Sequence, residues 1–519
     1  MTGATIYEWI DRHARERPSQ EAAVQGAIRW SYAELQDRSL EWAAALLNAG
    51  ICKGDRVAVL ARPSQDYLAT FLGATAIGAI WVGLNPRYTT EELLRILTDA
   101  QPRVLAVQLE HSSIKEAAHL DSVRAAVKDL KCIALRSQLL GGMTPSKQFL
   151  NSGASHRKSV AKAIAEVRGD DQALLIYTSG TTGNPKGAMI SQGALVTCSD
   201  FQARHWRVDG LRILNNLPIN HIGCVGDVTC FALASGGTIV FMEQFDPEGT
   251  LRLIQDERLT VWGQVPTMFQ LALSHPSRPH YDLSSLRIAL WSGAGAPPAL
   301  IEKLLDVAPL LATSYGLTES VGSATFTPPT RDMRELSTTV GVAAPHFQVR
   351  VVDDSDHDVA AGESGQVLLK SSAIFSGYWR NEEATRTAFD AQGWFRTGDV
   401  GALNAAGELR IIGRRGDRFK SGGYNVYPRE IELVLERHPL VAGAAVIGVE
   451  DPLYGEVGEA FIATPDPAAI EEAQLQAYCR DQLANYKVPK RFHMLRELPM
   501  LPIGKVDKQL LKRSARERI

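Results

Sequence analysis

Short apolar runs alternate with helical stripes through roughly the first four hundred residues, and this alternation limits the fold more than any other feature of the 519-residue chain. Trp42, Ala43, Leu46 and Leu47 recur at helical spacing, and Gly50 is placed to close that helix. Val57–Leu60 reads as a strand. Tyr67–Leu84 then runs for eighteen residues without a charge. Length alone would admit a membrane span, but its Ala and Gly content fits a core helix running into a buried strand that Asn85-Pro86 ends. Glu91–Leu97 reads as helical and Val104–Val107 as extended. A βαβα rhythm predicts mostly parallel sheets covered by helices. Such sheets place ligands at loops beyond the strand ends.

The texture changes near residue 415. Gly413-Arg414-Arg415-Gly416-Asp417-Arg418 is polar and charged, and a new pattern follows. Ile431, Val434 and Leu435 form a helical stripe, Val441–Val449 reads as a strand, and Leu475, Tyr478, Cys479 and Gln482 suggest another helix. A length of this order exceeds one compact core, and the last hundred or so residues suffice for a small α+β domain. The expected α/β fold is therefore a large N-terminal domain, 1–415, of βα-alternating sheets flanked by helices. A small mobile α+β domain, 416–519, follows it. The basic stretch Lys512 to Arg518 reads as a solvated helix face.

A net charge of −3 provides no basic field for nucleic acid. Six scattered cysteines without a Cys-x-x-Cys pair point to reduced thiols and a cytoplasmic protein. His221 and Cys224 alone make a poor metal site. Glu8, Asp11 and Arg12 do not suit a secretory leader. No integral membrane segment is expected, and a homodimer stays open.

The chemistry begins at Tyr177–Ala188, Tyr-Thr-Ser-Gly-Thr-Thr-Gly-Asn-Pro-Lys-Gly-Ala, directly after the strand candidate Ala173–Tyr177. Gly180, Gly183 and Gly187 let the backbone turn tightly and expose its N–H groups. Thr178, Ser179, Thr181 and Thr182 add hydroxyl donors, and Lys186 adds a mobile point charge. The run is a cradle for polyphosphate, yet it is not the Walker loop, because no Gly-Lys-Ser/Thr follows at the required spacing.

Four further stations line up behind it: Ser314-Tyr315-Gly316-Leu317-Thr318-Glu319-Ser320, Gly393–Val400 with Thr397-Gly398-Asp399, Gly413–Glu432 with Gly413-Arg414, and Pro502-Ile503-Gly504-Lys505. In this order the set resembles the adenylate-forming superfamily of acyl-CoA synthetases, adenylation domains and beetle luciferases, over almost the whole chain. The resemblance implies an acid–thiol ligase that uses ATP, CoA and Mg²⁺. A carboxylic acid attacks the α-phosphorus of ATP, pyrophosphate leaves, and the thiol of CoA then displaces AMP from acyl-AMP.

By the same resemblance, Thr178–Gly183 and Lys186 hold the β- and γ-phosphates, and Glu319 ligates Mg²⁺ beside Thr318 at the α-phosphate. Asp399 accepts the ribose hydroxyls and Arg414 approaches from the other side. Tyr315, with Gly316, offers a ring to the adenine, and Gly293, Ala294 and Gly295 wall it. Lys505 bridges the carboxylate and α-phosphate. Lys420, Gly422 and Gly423 line the pantetheine tunnel after the small domain rotates about Gly416, a position where Asp or Lys is more usual. His221 matches the acyl-pocket or thiol-gate position, and a buried structural His is its alternative.

Three other readings stay in view. One is an adenylation enzyme loading a carrier protein in trans; Ile222, where amino-acid-activating relatives carry Asp, argues against an amino acid. The others are a catalytically dead nucleotide sensor and a luciferase-type oxygenase. The pocket walls His221–Asp227, Val261–Thr267, Trp291–Gly295 and Gly322–Thr325 are largely apolar and roomy. They favour a bulky fatty, alicyclic or aromatic acid.

Overall fold

The computed structural model describes residues 4–108, 121–136, 142–179, 185–468, 470–501 and 506–516. Four sheets organise them. In the eight-stranded sheet, Arg56–Leu60, Ile80–Leu84, Val104–Val107 and Lys131–Ala134 run parallel, and Gln172–Ser179 joins Ile80–Leu84 in the same direction. Pro185–Ser191 and Gly377–Tyr378 then add antiparallel at one edge. The nine-stranded sheet also has a parallel centre, which includes Arg212–Asn215, Thr238–Phe241, Val261–Gln264, Ile288–Trp291 and Leu310–Leu317. Gly322–Phe326 folds back antiparallel on the last of these.

The uncharged stretch is a core helix and a buried strand, as its composition predicts. Ser64 caps the helix Gln65–Ala76 by accepting from the Tyr67 N–H at 3.2 Å. Every residue of that helix except Asp66 is buried. Gly73 is required where it crosses the helix Tyr32–Asn48: a Cβ there would lie 2.5 Å from the Trp42 Cβ and 2.7 Å from the Ser39 carbonyl oxygen. No helix among the described residues is long and apolar enough to cross a membrane.

The alternation stops earlier than the sequence suggests. Phe347–Val352, Gly365–Ser371, Phe395–Leu403 and Leu409–Arg414 form a four-stranded sheet that is antiparallel throughout. Its last connection is a tight turn. The Asn404 side-chain oxygen accepts from the N–H groups of Ala406 and Glu408, and Gly407 takes φ +79°. A turn this short joins antiparallel strands, whereas parallel ones need a crossover.

After Leu409–Arg414, a single 3₁₀ turn, Arg415–Asp417, leads into Phe419–Ser421, which belongs to the fourth sheet. This small C-terminal domain has its own cores. Phe419, Ile431, Leu435, Val446, Ile462 and Phe492 are among the residues of one, and Ala445, Ile447, Phe461, Leu511 and Ala515 form the other. The helix Lys508–Arg516 packs Leu511 and Ala515 inward, leaves Arg513 exposed and turns Lys508 onto buried Glu432 at 2.6 Å.

His13 fastens the first helix, Ile6–Glu16, to the body of the large domain. Its Nε2–H donates to the Leu233 carbonyl at 2.9 Å, and its ring lies 4.9 Å from that of Tyr32. Burial, with Arg12 beside it, holds the imidazole neutral and lowers its pKa to about 4. In the unfolded chain this group titrates near 6.5, so the unfolded state takes up the proton first. Its contribution to stability is therefore complete above pH ~6.5 and is lost as the pH falls toward 4. His13→Gln should flatten the loss of unfolding free energy across that interval in urea titrations; an unchanged slope would assign the acid sensitivity elsewhere.

Candidate functional site

The strand Leu310–Leu317 and its return strand Gly322–Phe326 are joined by the turn that carries Thr318 and Glu319. The turn is tightly specified. Ser320 Oγ accepts from the Leu317 N–H and donates to the Gly322 carbonyl, each at 2.7 Å. The Val321 N–H donates to the Thr318 carbonyl, with Val321 itself buried at φ +60°, a strained angle for a β-branched residue. Gly316 cannot be replaced without moving backbone: a Cβ would fall 1.9 Å from the Gly322 carbonyl oxygen. Thr318 is buried and Glu319 half-buried.

Glu319 meets Lys186 through a residue that sequence reasoning missed. The Tyr378 hydroxyl donates to Glu319 Oε1 at 2.8 Å, and Lys186 Nζ lies 5.4 Å from the centre of the Tyr378 ring. Burial and the neighbouring Glu319 charge raise the Tyr378 pKa and keep it a phenol. Pairing of Tyr378 with Ala188 sets the ring beside Lys186, and no local sequence signal reveals that pairing. Thr178 lies opposite Lys186, and Ser179 opposite Pro185, at the connected end of the same hairpin. Gly180, Thr181, Thr182 and Gly183 lie outside the described residues, as does Lys505.

A second cluster sits on the same strand. The Tyr315 hydroxyl donates to Asp399 Oδ2 at 2.7 Å, and Arg414 Nε donates to Asp399 Oδ1 at 3.1 Å. Asp399 and Tyr315 are buried, while the Arg414 side chain is exposed. Asp399 and Arg414 are register partners in the antiparallel sheet. Gly293, Ala294 and Gly295 are exposed on the loop after Ile288–Trp291, the parallel neighbour of Leu310–Leu317. That loop and the Thr318–Glu319 turn therefore leave the sheet at the same strand ends, where parallel sheets gather ligand sites.

The small domain touches this loop. Arg429 Nη2 donates to the Gly295 carbonyl at 3.2 Å and pairs with Glu436 at 3.0 Å. Glu432, buried beneath it, also binds Lys508 at 2.6 Å and accepts from the Val446 N–H. Gly422 and Gly423, with φ +56° and +88°, form the two-residue turn of the hairpin that carries Lys420. The turn geometry alone thus accounts for both glycines.

His221 accepts a hydrogen bond at Nδ1 from the Gly223 N–H at 3.1 Å. It precedes the π-helix Gly223–Cys230, which lies against the strand Gly322–Phe326. Asp227, on this helix, accepts from the N–H and hydroxyl of Ser323 at 3.2 and 3.3 Å. Asp227, Gly322 and Ser323 thus meet beside the Thr318–Glu319 turn, while His221 is held at the start of the π-helix. Altogether the site offers a cation and a carboxylate at the turn after Leu310–Leu317 and a hydrogen-bonded acid–phenol–guanidinium cluster on the strand itself.

The chain matches the AMP-binding enzyme family over residues 10–379 and the AMP-binding enzyme C-terminal domain over residues 430–505. It is 36% identical over 514 residues to a 3-(7a-methyl-1,5-dioxo-octahydro-1H-inden-4-yl)propanoyl:CoA ligase of Mycobacterium tuberculosis, covering 98% of both chains. It is 33% identical to the indoleacetate–CoA ligase of Aromatoleum aromaticum, covering 97% of this chain and 96% of the other. The crystal structure of an anthranilate CoA ligase in complex with anthranoyl-AMP superposes with a TM-score of 0.89 at 26% identity, covering 100% of this chain and 98% of that one.

Gly316→Ala should force the two strands of the turn apart and cost about 1–3 kcal/mol of unfolding free energy, the scale of an overpacked site. AMP binding should weaken with it. Chemical denaturation and AMP titration check both; a variant equal to the parent in each would show that the backbone approach is not a constraint on the site.

Proposed function

The chain belongs to the family of AMP-binding enzymes and is an ATP-dependent, AMP-forming acid–CoA ligase; from that premise we propose which residues carry each half-reaction and which acid is taken. The observation that supports the assignment is the spacing of two clusters along one strand: Tyr315 with Asp399 and Arg414 at one point, Glu319 with Tyr378 and Lys186 at the other. A nucleotide laid along this strand would set its ribose at Asp399, its adenine against Gly293–Gly295 and Tyr315, and its phosphates toward Thr318, Lys186 and the Thr178–Gly183 loop. Asp399 accepts from Tyr315 and Arg414, and a carboxylate is the acceptor that ribose hydroxyls would meet there.

Adenylation brings two anions together, so positioning and charge stabilisation carry most of the work. Lys186 neutralises the terminal phosphates, and Lys505 neutralises charge as the acid's carboxylate attacks the α-phosphorus and pyrophosphate leaves. Mg²⁺, when bound, would shield the phosphate oxygens. Glu319 fits it as the single protein carboxylate such an ion needs beside phosphates, because Tyr378 engages only one of its oxygens. Among the described residues no group of three or more His, Cys, Asp or Glu side chains forms an all-protein site.

Transfer to CoA uses another face of the small domain. The thiol attacks the acyl carbon, AMP leaves, and Lys420 with the Gly422-Gly423 turn lines the pantetheine path. His221 gates the acyl end. The pivot is Gly416, in the one-turn segment where the chain leaves the four-stranded sheet for the last one; the mobile domain then begins at 416. The acid is bulky and apolar, in keeping with the indenyl and indole acids in the names of the relatives. Six free cysteines fit a cytoplasmic setting.

Half-reactions measured separately test this division. Lys505→Ala should lose on the order of 10²-fold or more in acyl-AMP formation yet retain thioester formation from supplied acyl-AMP. Gly416→Pro, with φ fixed near −65°, should form acyl-AMP in a burst and then turn over poorly with CoA. Equal loss of both half-reactions in a folded Lys505→Ala enzyme, or parental rates in both for Gly416→Pro, would overturn the respective assignment.

A further inference from the structure

We propose that Asp227 determines which acid this ligase accepts, by taking a hydrogen bond from a hydroxyl or N–H group carried by the acid away from its carboxylate. The inference rests on the acid–CoA ligase reading above and concerns the tail of the substrate.

Asp227 has no part in holding nucleotide. It lies where two apolar walls of the acid pocket meet, the π-helix Gly223–Cys230 and the strand Gly322–Phe326. The other seven residues of that helix are buried, and Asp227 is half-buried. Oδ1 is satisfied by the Ser323 N–H and hydroxyl. Oδ2 takes no hydrogen bond from the described residues.

The wall opposite is shaped around this carboxyl group. A Cβ at Gly322 would come 2.5 Å from Oδ1 and 3.4 Å from Oδ2, so only glycine, here at φ +95°, leaves it in place. A carboxyl in such a position is costly to desolvate unless it is bonded. Burial pushes it up to about 7, which marks the cost that a bound donor would offset. The substrate's own carboxylate is not the group it receives, since two like charges repel strongly at low dielectric. A neutral donor on the tail satisfies Oδ2 without that repulsion. π-Helical turns, which widen the backbone at one point, often occur at functional sites.

Matched acids test the proposal. The parent enzyme is assayed by CoA-dependent AMP release with 3-phenylpropanoate, its three ring-hydroxy isomers and their methyl ethers, and with indole-3-acetate and its N-methyl derivative. At least one donor-bearing acid should exceed both its parent and its methylated form in kcat/KM by about tenfold or more, the scale on which a site built to bond a polar group rejects the analogue lacking it. Asp227→Ala should remove that preference, with the donor-bearing acids losing about tenfold more in kcat/KM than the unsubstituted acid loses. Asp227→Asn keeps the shape, and its amide oxygen can serve Ser323; its NH₂ then stands where Oδ2 was, and the methyl ethers should gain on the hydroxy acids. No preference for donors in the parent enzyme would overturn the proposal. So would a uniform loss for every acid in both variants, the result expected if Asp227 only clamps Ser323. If no acid supported CoA-dependent AMP release, the ligase reading itself would fall, and the proposal with it.

Discussion

A buried hydrogen bond from Tyr315 to Asp399 ties the nine-stranded sheet, parallel at its centre, to the antiparallel four-stranded one, across 84 residues of sequence. Hydrogen bonds to charged groups contribute about 1.5–3 kcal/mol, and removing one partner strands the buried charge. The bond therefore fixes the distance between the sheets at the point proposed for the ribose. Tyr378 does the equivalent on the other side: it stands on the edge strand of the eight-stranded sheet and bonds Glu319 at the end of Leu310–Leu317. Three sheets thus converge on one strand and its turn. The narrow backbone approach at Gly316 and the strained Val321 are the local consequence of building that turn so tightly.

Much of the site can be read before the fold is known, because its residues sit in short runs with unusual composition. Glu319, Asp399 and Arg414 fall in short runs with a glycine nearby, Gly316, Gly398 and Gly413, and their order along the chain singles them out as candidates. The parallel centres of the two large sheets follow from apolar runs separated by helical stripes. Tyr378, by contrast, lies in a Gly-Tyr-Trp stretch that looks like ordinary core, and only its pairing with Ala188 brings it to Lys186. Arg429 reads as a helix-start charge; its bond to Gly295 spans 134 residues. The antiparallel sheet is masked by a helix, Glu382–Ala388, set between its strands, which mimics the βα rhythm. Register, turn type and long-range pairing are tertiary facts that periodicity does not carry.

The small domain combines its own cores with a hydrogen bond to the Gly293–Gly295 loop. Its cores share no residue with those of the large domain, which suits a body that moves as a unit. Arg429 is held by two buried glutamates while it donates to Gly295. The cost of burying those charges is met by pairing, and breaking one partner would leave another uncompensated. The contact with Gly295 is thus made by a guanidinium that the two glutamates hold in place.

The central claim is that one strand aligns nucleotide and acid so that acyl-AMP forms first and CoA then consumes it. Rapid-quench kinetics with ATP labelled at the α-phosphate tests this most directly. Enzyme mixed with a bulky aromatic acid and no CoA should accumulate about one equivalent of acyl-AMP, and adding CoA should convert it to acyl-CoA and AMP without a further demand for ATP. Formation of ADP, or AMP release independent of the acid, would contradict the account.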